Sequence, residues 1–363
     1  MNTNVLTGLR FWAAAIVVIF HFGRDIHLLN IAGRGFFTAG PQMVGFFFVL
    51  SGFIMAHVYL ARENFRFDEY LVARFARIMP VYILALFALT IIRPLSFWQF
   101  FSDLSMLKAW FPQYAVGGNS PGWSISVEIF FYALFPFIIY LIKDFKFSAI
   151  GFAGAVLVLW FFSQIVLGNL FDSEFYKAGG KVSHGLIFYF PVSHLSSFFV
   201  GIATALVLKS CTGYGVVFKR CCFIVALFSA ALIYWVLNSR VSVFWGVRFL
   251  NAAGGLAPLF ALFIFSVVVA SRGFEWLLAN RVSVALGEAS YALYILQLPV
   301  FLAFNSFFVR KYSLSGDVAF WLYFVSLLLL SVLVYFSMEV PVRDFVNKKY
   351  RNFTLSRKES YAV

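Results

Sequence analysis

The sequence predicts an all-α membrane protein of about ten transmembrane helices with both termini in the cytoplasm. Its 363 residues are 62% hydrophobic and only 12% charged, and the mean hydropathy is +0.89. A soluble domain of this length cannot bury so much apolar surface, so its solvent must be lipid. A helix that crosses the ~30 Å hydrocarbon core needs about 20 mostly apolar residues. The segments that meet this requirement are 6–27, 40–61, 70–92, 121–142, 148–168, 185–208, 221–238, 249–270, 285–309 and 317–338.

The distribution of Lys and Arg sets the predicted orientation, because cytoplasmic loops are enriched in basic residues. Most of the asymmetry comes from a basic cytoplasmic tail, residues 343–363, which follows a membrane domain of residues 1–342. The first segment lacks a basic leader and a cleavage site, so it is predicted to remain as a span. The net charge of +13 fits anionic lipid headgroups beside the tail and requires no nucleic acid.

The three cysteines, Cys211, Cys221 and Cys222, lie on or near one predicted cytoplasmic loop. Thiols stay reduced in that compartment. Their spacing suggests neither a disulfide nor a zinc site, so the sequence predicts no bound metal.

The first segment holds two ionisable residues at the ends of RFWAAAIVVIFH, residues 10–21. Arg10 and His21 share one helix face with ~16 Å between them along the axis. Arg10 can reach the inner headgroups, whereas His21 lies ~10 Å below the outer surface. Asp25 follows at i+4 and could hold one ring nitrogen. Because ionisable residues inside a membrane are costly, His21 is a catalytic candidate. The alternative is a structural histidine bonded to a neighbouring helix.

Two further spans bring polar groups to a similar depth. The fourth span begins PGWSISVEIFFYALFP, in which Ser124, Glu128 and Tyr132 form an i, i+4, i+8 stripe. A carboxylate is an expensive way to make a helix-packing hydrogen bond, which favours a functional role for Glu128 over that alternative. In the ninth span, Gln297 lies at about the depth of His21 and Glu128. Three polar groups at one level predict one chamber.

Small and basic residues mark the second and third spans. Ser51 and Gly52 lie near mid-membrane, where small residues usually allow close helix packing. Arg74 and Arg77 stand at i, i+3 on one helix face, and two guanidiniums at that spacing suit a phosphate or pyrophosphate. The alternative is a positive-inside anchor, but Arg10 adds a third arginine on the same side.

Together these residues resemble the acyltransferase 3 family of bacterial membrane acyltransferases, in its stand-alone form without a fused extracellular hydrolase-like domain. The resemblance runs through almost the whole chain. It rests on six motifs in order: Arg10 with His21, the run Phe46 to Phe53, Arg74 with Arg77, the series Trp123, Ser124, Glu128, Phe131, Tyr132 and Pro136, the run Ser290 to Tyr294, and Glu339 with Pro341 and Arg343. Two positions depart from the family pattern. Val44-Gly45-Phe46 replaces a common Gly-Val-Asp, and Gln297 stands where a histidine is common.

The resemblance implies transfer of an acyl group, most often acetyl, from cytoplasmic acyl-CoA to a hydroxyl of a carbohydrate or glycolipid at the bacterial inner membrane. It implies no tightly bound cofactor, since acyl-CoA is a co-substrate. His21 would take the proton of the acceptor hydroxyl, and Asp25 or Glu128 would orient the imidazole. The CoA phosphates would be held by Arg10, Arg74 and Arg77. The substrate-positioning residues would be Ser51, Trp123, Ser124, Tyr132, Tyr294 and Gln297.

Two other functions fit some of the same residues. A polytopic protein with a buried histidine and carboxylate could couple protons to transport of a sugar or drug, although the two halves lack the matching broken helices of transporters. A different membrane acyltransferase could use lipid-linked donors. Within acyl-CoA transfer, the sequence does not choose among O-antigen, exopolysaccharide, peptidoglycan and small molecules as acceptor. It does not indicate the oligomeric state either.

Overall fold

The computed structural model describes residues 2–62, 65–145, 148–177, 181–211, 213–239, 241–244, 246–314 and 316–360. This part of the chain is almost entirely helical, which confirms the predicted fold class. Nine of its helices are long and apolar enough to cross a membrane, and a bent helix pair makes a tenth candidate span. Lys146 and the last three residues of the predicted tail lie outside the described residues. The orientation of the termini stays a prediction.

The first half of the chain forms five spans, with short helices after the first and third of them. The bounds are α1 Asn4–Phe22, α2 His27–Phe37, α3 Gly40–Tyr59, α4 Phe67–Ile92, α5 Phe97–Leu104, a 3-10 turn Lys108–Trp110, α6 Gly122–Phe145 and α7 Ala149–Asp172. The third span begins a few residues earlier than predicted. Arg74 and Arg77 therefore stand well inside α4.

The second half forms the other spans and a short β-hairpin. The bounds are α8 Lys181–Phe188, a 3-10 turn Pro191–His194, α9 Leu195–Ser210, α10 Val216–Ser239, β1 Val243–Phe244, β2 Val247–Arg248, a 3-10 turn Asn251–Ala253, α11 Ala257–Val269, α12 Ser271–Leu278, α13 Arg281–Glu288, α14 Ser290–Phe304, a π-helical turn Asn305–Val309, α15 Arg310–Tyr312, α16 Gly316–Val334, a π-helical turn Tyr335–Glu339 and α17 Val340–Ser360. The two strands pair antiparallel, with Val243 opposite Arg248.

The eighth span is broken, and its predicted start at residue 249 was wrong. Gly254 has φ +92°, a left-handed conformation that prevents a helix from running through it. The helix α11 begins beyond it, with Pro258 in its first turn. Its 13 residues cover only ~20 Å, and the chain then bends by 94° into α12.

Close packing of α3 against α9 forms the centre of the bundle. A Cβ atom on Gly52 would come within 2.1 Å of the Phe198 carbonyl oxygen. One on Gly201 would come within 2.0 Å of the Val49 carbonyl oxygen. No larger residue fits at either crossing, so the close packing predicted at Gly52 is confirmed.

The last span is one continuous helix from α16 through the π-helical turn to α17. A π-helical turn adds a residue and changes which side chains face inward. Glu339 ends this turn and is fully buried. The helix continues across residue 343, where the tail was predicted to begin, and α17 packs against α4. There the hydroxyl of Tyr350 donates to Asp68 Oδ2 at 2.5 Å.

Candidate active site

A cavity of about 120 Å³ lies among α1, α3, α4, α6 and α14. Apolar side chains such as Phe47, Phe48 and Ile54 form much of its wall. The predicted site residues on the wall are Arg10, Ser51, Arg74, Arg77, Ser124, Glu128, Tyr132 and Tyr294. Side chains from five spans that are far apart in sequence therefore meet at one space inside the bundle.

Arg74 and Arg77 line the cavity, and each has one side-chain nitrogen atom without a hydrogen-bond partner in the described residues. Arg74 Nε and Arg77 Nη2 are buried and have no hydrogen-bond partner within the described residues. The rings of Tyr59 and Tyr132 lie 6.0 and 5.9 Å from the Arg74 guanidinium carbon. Because buried donors without acceptors are costly, this arrangement favours an anionic ligand as the missing partner.

The polar stripe of α6 lies on the cavity wall as predicted. The Tyr132 hydroxyl donates to Glu128 Oε1 at 2.5 Å, and the Tyr70 hydroxyl donates to the Tyr132 carbonyl oxygen at 3.1 Å. At the other end of the stripe, Ser124 Oγ lies 2.8 Å from the Tyr294 hydroxyl. Glu128 therefore shares its space with the arginines.

His21 has one ring nitrogen occupied by acceptors. Its Nδ1 lies 2.9 Å from the Val17 carbonyl oxygen and 3.1 Å from Gln297 Oε1. Both partners accept, so Nδ1 carries the hydrogen of the neutral ring and Nε2 keeps its lone pair. The Gln297 amide is itself oriented, since its Nε2 donates to the Tyr294 carbonyl oxygen at 2.7 Å. A neutral imidazole in this tautomer can take a proton at Nε2.

The predicted contact between Asp25 and His21 is wrong. It required the first helix to continue to residue 25, but α1 ends at Phe22 and Gly23 caps it. Asp25 is exposed in the turn that follows. The i+4 geometry that would have brought its carboxylate to the imidazole does not exist.

The three polar groups predicted to share one chamber do not all line the cavity. Glu128 lies on the cavity wall, whereas His21 and Gln297 bond to each other and do not line it. Glu128 therefore does not orient the imidazole, and Gln297 does. Gln297 is fully buried, and each end of its amide makes a hydrogen bond within the protein; its role in holding substrate stays a prediction. Tyr294 connects the cavity to His21, because it lines the cavity and its carbonyl oxygen accepts from Gln297, which contacts His21.

Trp123 stands behind the cavity wall and does not line it. Its ring centre lies 5.0 Å from that of Tyr189, 5.4 Å from that of His194 and 6.0 Å from that of Phe48. Phe48 does line the cavity. The structure therefore places Trp123 as support for a wall residue.

Three residues of the site were not selected from the sequence. Ser290 and Tyr291 line the cavity, and the Tyr291 hydroxyl donates to the Ile78 carbonyl oxygen at 2.9 Å. Both belong to the motif from which only Tyr294 was selected. Glu339 is fully buried with neither carboxylate oxygen hydrogen-bonded within the described residues. Its signal was its place in the motif of Glu339, Pro341 and Arg343, directly after a predicted span.

The arrangement can bind an anion and accept a proton. In the described part of the chain, no group of three or more His, Cys, Asp or Glu side chains could hold a metal ion. The fold and the site define a multi-pass membrane protein with an arginine-lined cavity and a half-buried histidine whose Nδ1 is hydrogen-bonded.

Comparison with known proteins assigns this class to a family. Residues 4–340 match the family model Acyl_transf_3, described as an acyltransferase domain. The chain belongs to this family of membrane acyltransferases, which confirms the predicted resemblance.

The names of similar proteins also describe acyl transfer. The chain is 30% identical over 326 residues to "Acyltransferase MdmB" of Streptomyces mycarofaciens. The aligned region covers 81% of this chain and 78% of that protein. The chain is 24% identical over 379 aligned positions to "Putative O-acetyltransferase SACOL0978" of Staphylococcus aureus (strain COL). That alignment covers 93% of this chain and 57% of that protein. No solved structure matches the chain.

Proposed function

We propose that this membrane acyltransferase moves an acyl group, acetyl in the simplest case, from acyl-CoA to a hydroxyl of a carbohydrate acceptor. The observation that carries the proposal is the geometry of His21. Its Nδ1 is engaged by Val17 and Gln297, at 2.9 and 3.1 Å, so Nε2 is available to take the proton of an attacking hydroxyl.

The arginines supply the second requirement, a site for the donor. CoA carries phosphate and pyrophosphate groups, which guanidiniums bind through charge-assisted hydrogen bonds. Arg74 Nε and Arg77 Nη2 are buried and unpartnered, and Arg10 faces the same cavity. With ~16 Å along α1 between Arg10 and His21, a thin arm carrying the thioester could extend from the arginines towards the histidine.

The reaction requires one base and no covalent enzyme intermediate. The acceptor oxygen attacks the thioester carbonyl carbon while His21 Nε2 takes the hydroxyl proton. The C–S bond then breaks, the ester forms, and the CoA sulfur leaves with the proton returned by the imidazolium. Gln297 stabilises the charged ring by accepting from Nδ1, in the position that a carboxylate holds in a triad.

The hydroxyls on the cavity wall are proposed to position the reacting groups. Ser124 and Tyr294 hydrogen-bond to each other at 2.8 Å. The Tyr294 carbonyl oxygen accepts from Gln297, which in turn contacts His21. Ser51 and Tyr132 line the same cavity. A hydroxyl can donate to the thioester carbonyl oxygen as negative charge develops there.

The acceptor class rests on the family resemblance and on the name of the staphylococcal relative, which describes acetyl transfer to oxygen. We propose a carbohydrate or glycolipid acceptor in the bacterial inner membrane, with the donor entering from the cytoplasm. Mass spectrometry of surface glycans from cells with and without the protein tests this choice. A gain of one acyl mass on a glycan supports it, and unchanged glycans contradict it.

The reaction itself is tested with radiolabelled acetyl-CoA and membranes that contain the protein. Free CoA should be released when the acceptor is present, and the label should move to the acceptor. A purified protein that binds no acyl-CoA, yet moves a sugar or protons across liposomes, would identify a transporter instead.

Replacing His21, the proposed general base, tests the mechanism most directly. His21→Ala should reduce transfer at least a hundredfold, because general bases contribute about 10²–10⁴ in rate, while CoA binding stays unchanged. His57→Ala is the matched control, since His57 stacks on Phe53 away from the cavity wall and should retain activity. If His21→Ala keeps more than a tenth of wild-type turnover, the general-base assignment is wrong.

A further inference from the structure

Glu339 is a buried carboxylate that the proposed reaction does not use. It ends the π-helical turn before α17, its exposed fraction is 0%, and neither oxygen has a hydrogen-bond partner in the described part of the chain. By contrast, the nearby Glu288 accepts from the Tyr335 hydroxyl at 3.0 Å. A buried charge without hydrogen bonds is costly, so the charged form of Glu339 depends on positive charges nearby.

Most of the nearby positive charge belongs to the arginine site. The π-helical turn packs against α4, the helix of Arg77, and Arg77 and Arg10 attract Glu339 more strongly than Arg343 does. No ion pair within 4.0 Å joins Glu339 to an arginine among the described residues. Arg77 Nη2 also lacks a partner. The three groups therefore act on one another across a gap. Arg10 and Arg77 line the cavity whereas Glu339 does not, so the carboxylate is set back from the space that a ligand would enter.

An anion in the cavity would feel both signs of charge. The guanidiniums attract its phosphates, and the carboxylate repels them at longer range through a medium of low dielectric constant. Repulsion of this kind lowers the affinity for the anion without removing any contact to it. A lower affinity for CoA favours turnover, because tight binding of this product slows its release.

We infer that Glu339 is a built-in counter-charge that weakens the hold of Arg10 and Arg77 on CoA and so permits release of the product. This inference rests on the proposed function. It makes Glu339 a positioning residue that acts through the arginines and does not contact the reacting atoms.

The test measures binding of CoA to the purified, detergent-solubilised protein by titration calorimetry. Glu339→Gln keeps the shape of the side chain and removes its charge, so it should bind CoA on the order of tenfold more tightly. The gain should extend to adenosine 3′,5′-bisphosphate and should be absent for pantetheine, which carries no phosphate. Turnover should fall while CoA accumulates on the enzyme, because product release becomes slower.

Matched variants separate charge from shape. Glu339→Asp keeps the charge and should bind CoA as the wild type does, because the interaction needs no hydrogen bond. Glu339→Ala lacks the charge and replaces Glu339→Gln if that variant is not recovered in membranes. Asp317→Asn removes an exposed charge at the start of α16 and should change nothing.

Unchanged or weaker CoA binding in both uncharged variants would overturn the inference. An equal gain for pantetheine would also overturn it, since loosened packing and not charge would then be responsible. The wild-type titration tests the proposed function separately. If the wild-type protein binds no CoA, the proposed function fails first, and the inference fails with it.

Discussion

Two groups of buried charges differ in how completely the protein satisfies them. We call Asp103 with Lys108 the paired cluster, and Arg74, Arg77 and Glu339 the open cluster. In the paired cluster, Lys108 Nζ donates to Asp103 Oδ1 at 2.6 Å and to the carbonyl oxygens of Gly117 and Asn119 at 2.5 and 2.8 Å. In the open cluster, each side chain keeps buried polar atoms without any partner in the described residues.

The paired cluster shows what a structural use of buried charge looks like. Burial raises the pKa of Asp103 and lowers the pKa of Lys108, because a low-dielectric environment disfavours both charged forms. Their ion pair opposes these shifts, and the Asn119 backbone N–H and the Tyr82 hydroxyl donate further hydrogen bonds to Asp103. All three ammonium hydrogens have acceptors.

The paired cluster also fixes the start of α6. Asn119 Nδ2 donates to the Ile295 carbonyl oxygen of α14 at 3.0 Å. Two positions later, the Pro121 carbonyl oxygen lies 3.1 Å from the hydroxyl oxygens of both Ser124 and Tyr294. The cluster therefore holds together two helices that line the cavity. The difference between the clusters teaches that missing partners, more than burial itself, distinguish a ligand site from a structural one.

The largest expected effect breaks the paired cluster. Lys108→Met leaves the Asp103 carboxylate buried without its counter-charge, which should cost about 3–5 kcal/mol of unfolding free energy. Denaturation of the detergent-solubilised protein measures it. Adding Asp103→Asn to Lys108→Met should recover part of the loss. A single variant as stable as the wild type would show that the pair does not support the fold.

The next effect concerns the open cluster and should appear in binding, not in stability. Arg77→Gln removes hydrogen bonds to a charged ligand, worth about 1.5–3 kcal/mol, so CoA should bind about ten- to a hundredfold more weakly. The loss should be smaller at high salt, because screening already weakens the attraction that Arg77 supplies in the wild type. Calorimetric titration checks the affinity. If Arg77→Gln lost much stability while its CoA binding stayed unchanged, Arg77 would have a structural role like that of the paired cluster and would not belong to a ligand site.

A smaller effect is expected at Gln297, which holds His21 at the junction with the cavity. Gln297→Ala removes one hydrogen bond, worth about 0.5–1.5 kcal/mol, while the Val17 carbonyl oxygen still accepts from Nδ1. Turnover should fall about threefold to tenfold, with the acid limb of the pH–rate profile in place. A loss as deep as that of His21→Ala would mean that Gln297 takes part in the chemistry directly.

The smallest effect is expected at Asp25, which the structure removes from the site. Asp25→Asn changes an exposed carboxylate in the turn after α1, so turnover should stay within about twofold of wild type. The same acyl-transfer assay measures it. A hundredfold loss would restore the sequence-based role of Asp25 as the residue that orients the imidazole.

The spans could be predicted from the sequence because length and hydropathy are local properties of each segment. The 94° bend between α11 and α12 could not. Neither Gly nor Pro stands between Val269 and Ser271 to signal it, and α12 instead packs against α1. Tertiary contacts therefore decide where this helix stops.

The site was predictable only in part for a similar reason. Helix periodicity placed Arg74 beside Arg77, and it aligned Glu128 with Tyr132. The contact of His21 with Gln297 joins residues 276 positions apart, and no periodicity encodes it. The isolation of Glu339 depends on what its neighbours leave unpaired, which only the assembled bundle shows.

Thermal unfolding with and without CoA tests the central claim most directly, because a ligand stabilises the folded state that binds it. CoA at a concentration that saturates the wild type should raise the temperature at which half of the wild-type protein is unfolded. Lys108→Met should begin lower and show the same rise, whereas Arg77→Gln should begin near the wild type and show a smaller rise at the same CoA concentration. If CoA stabilises Arg77→Gln as much as the wild type, or fails to stabilise Lys108→Met, the open cluster is not the CoA site and the account is contradicted.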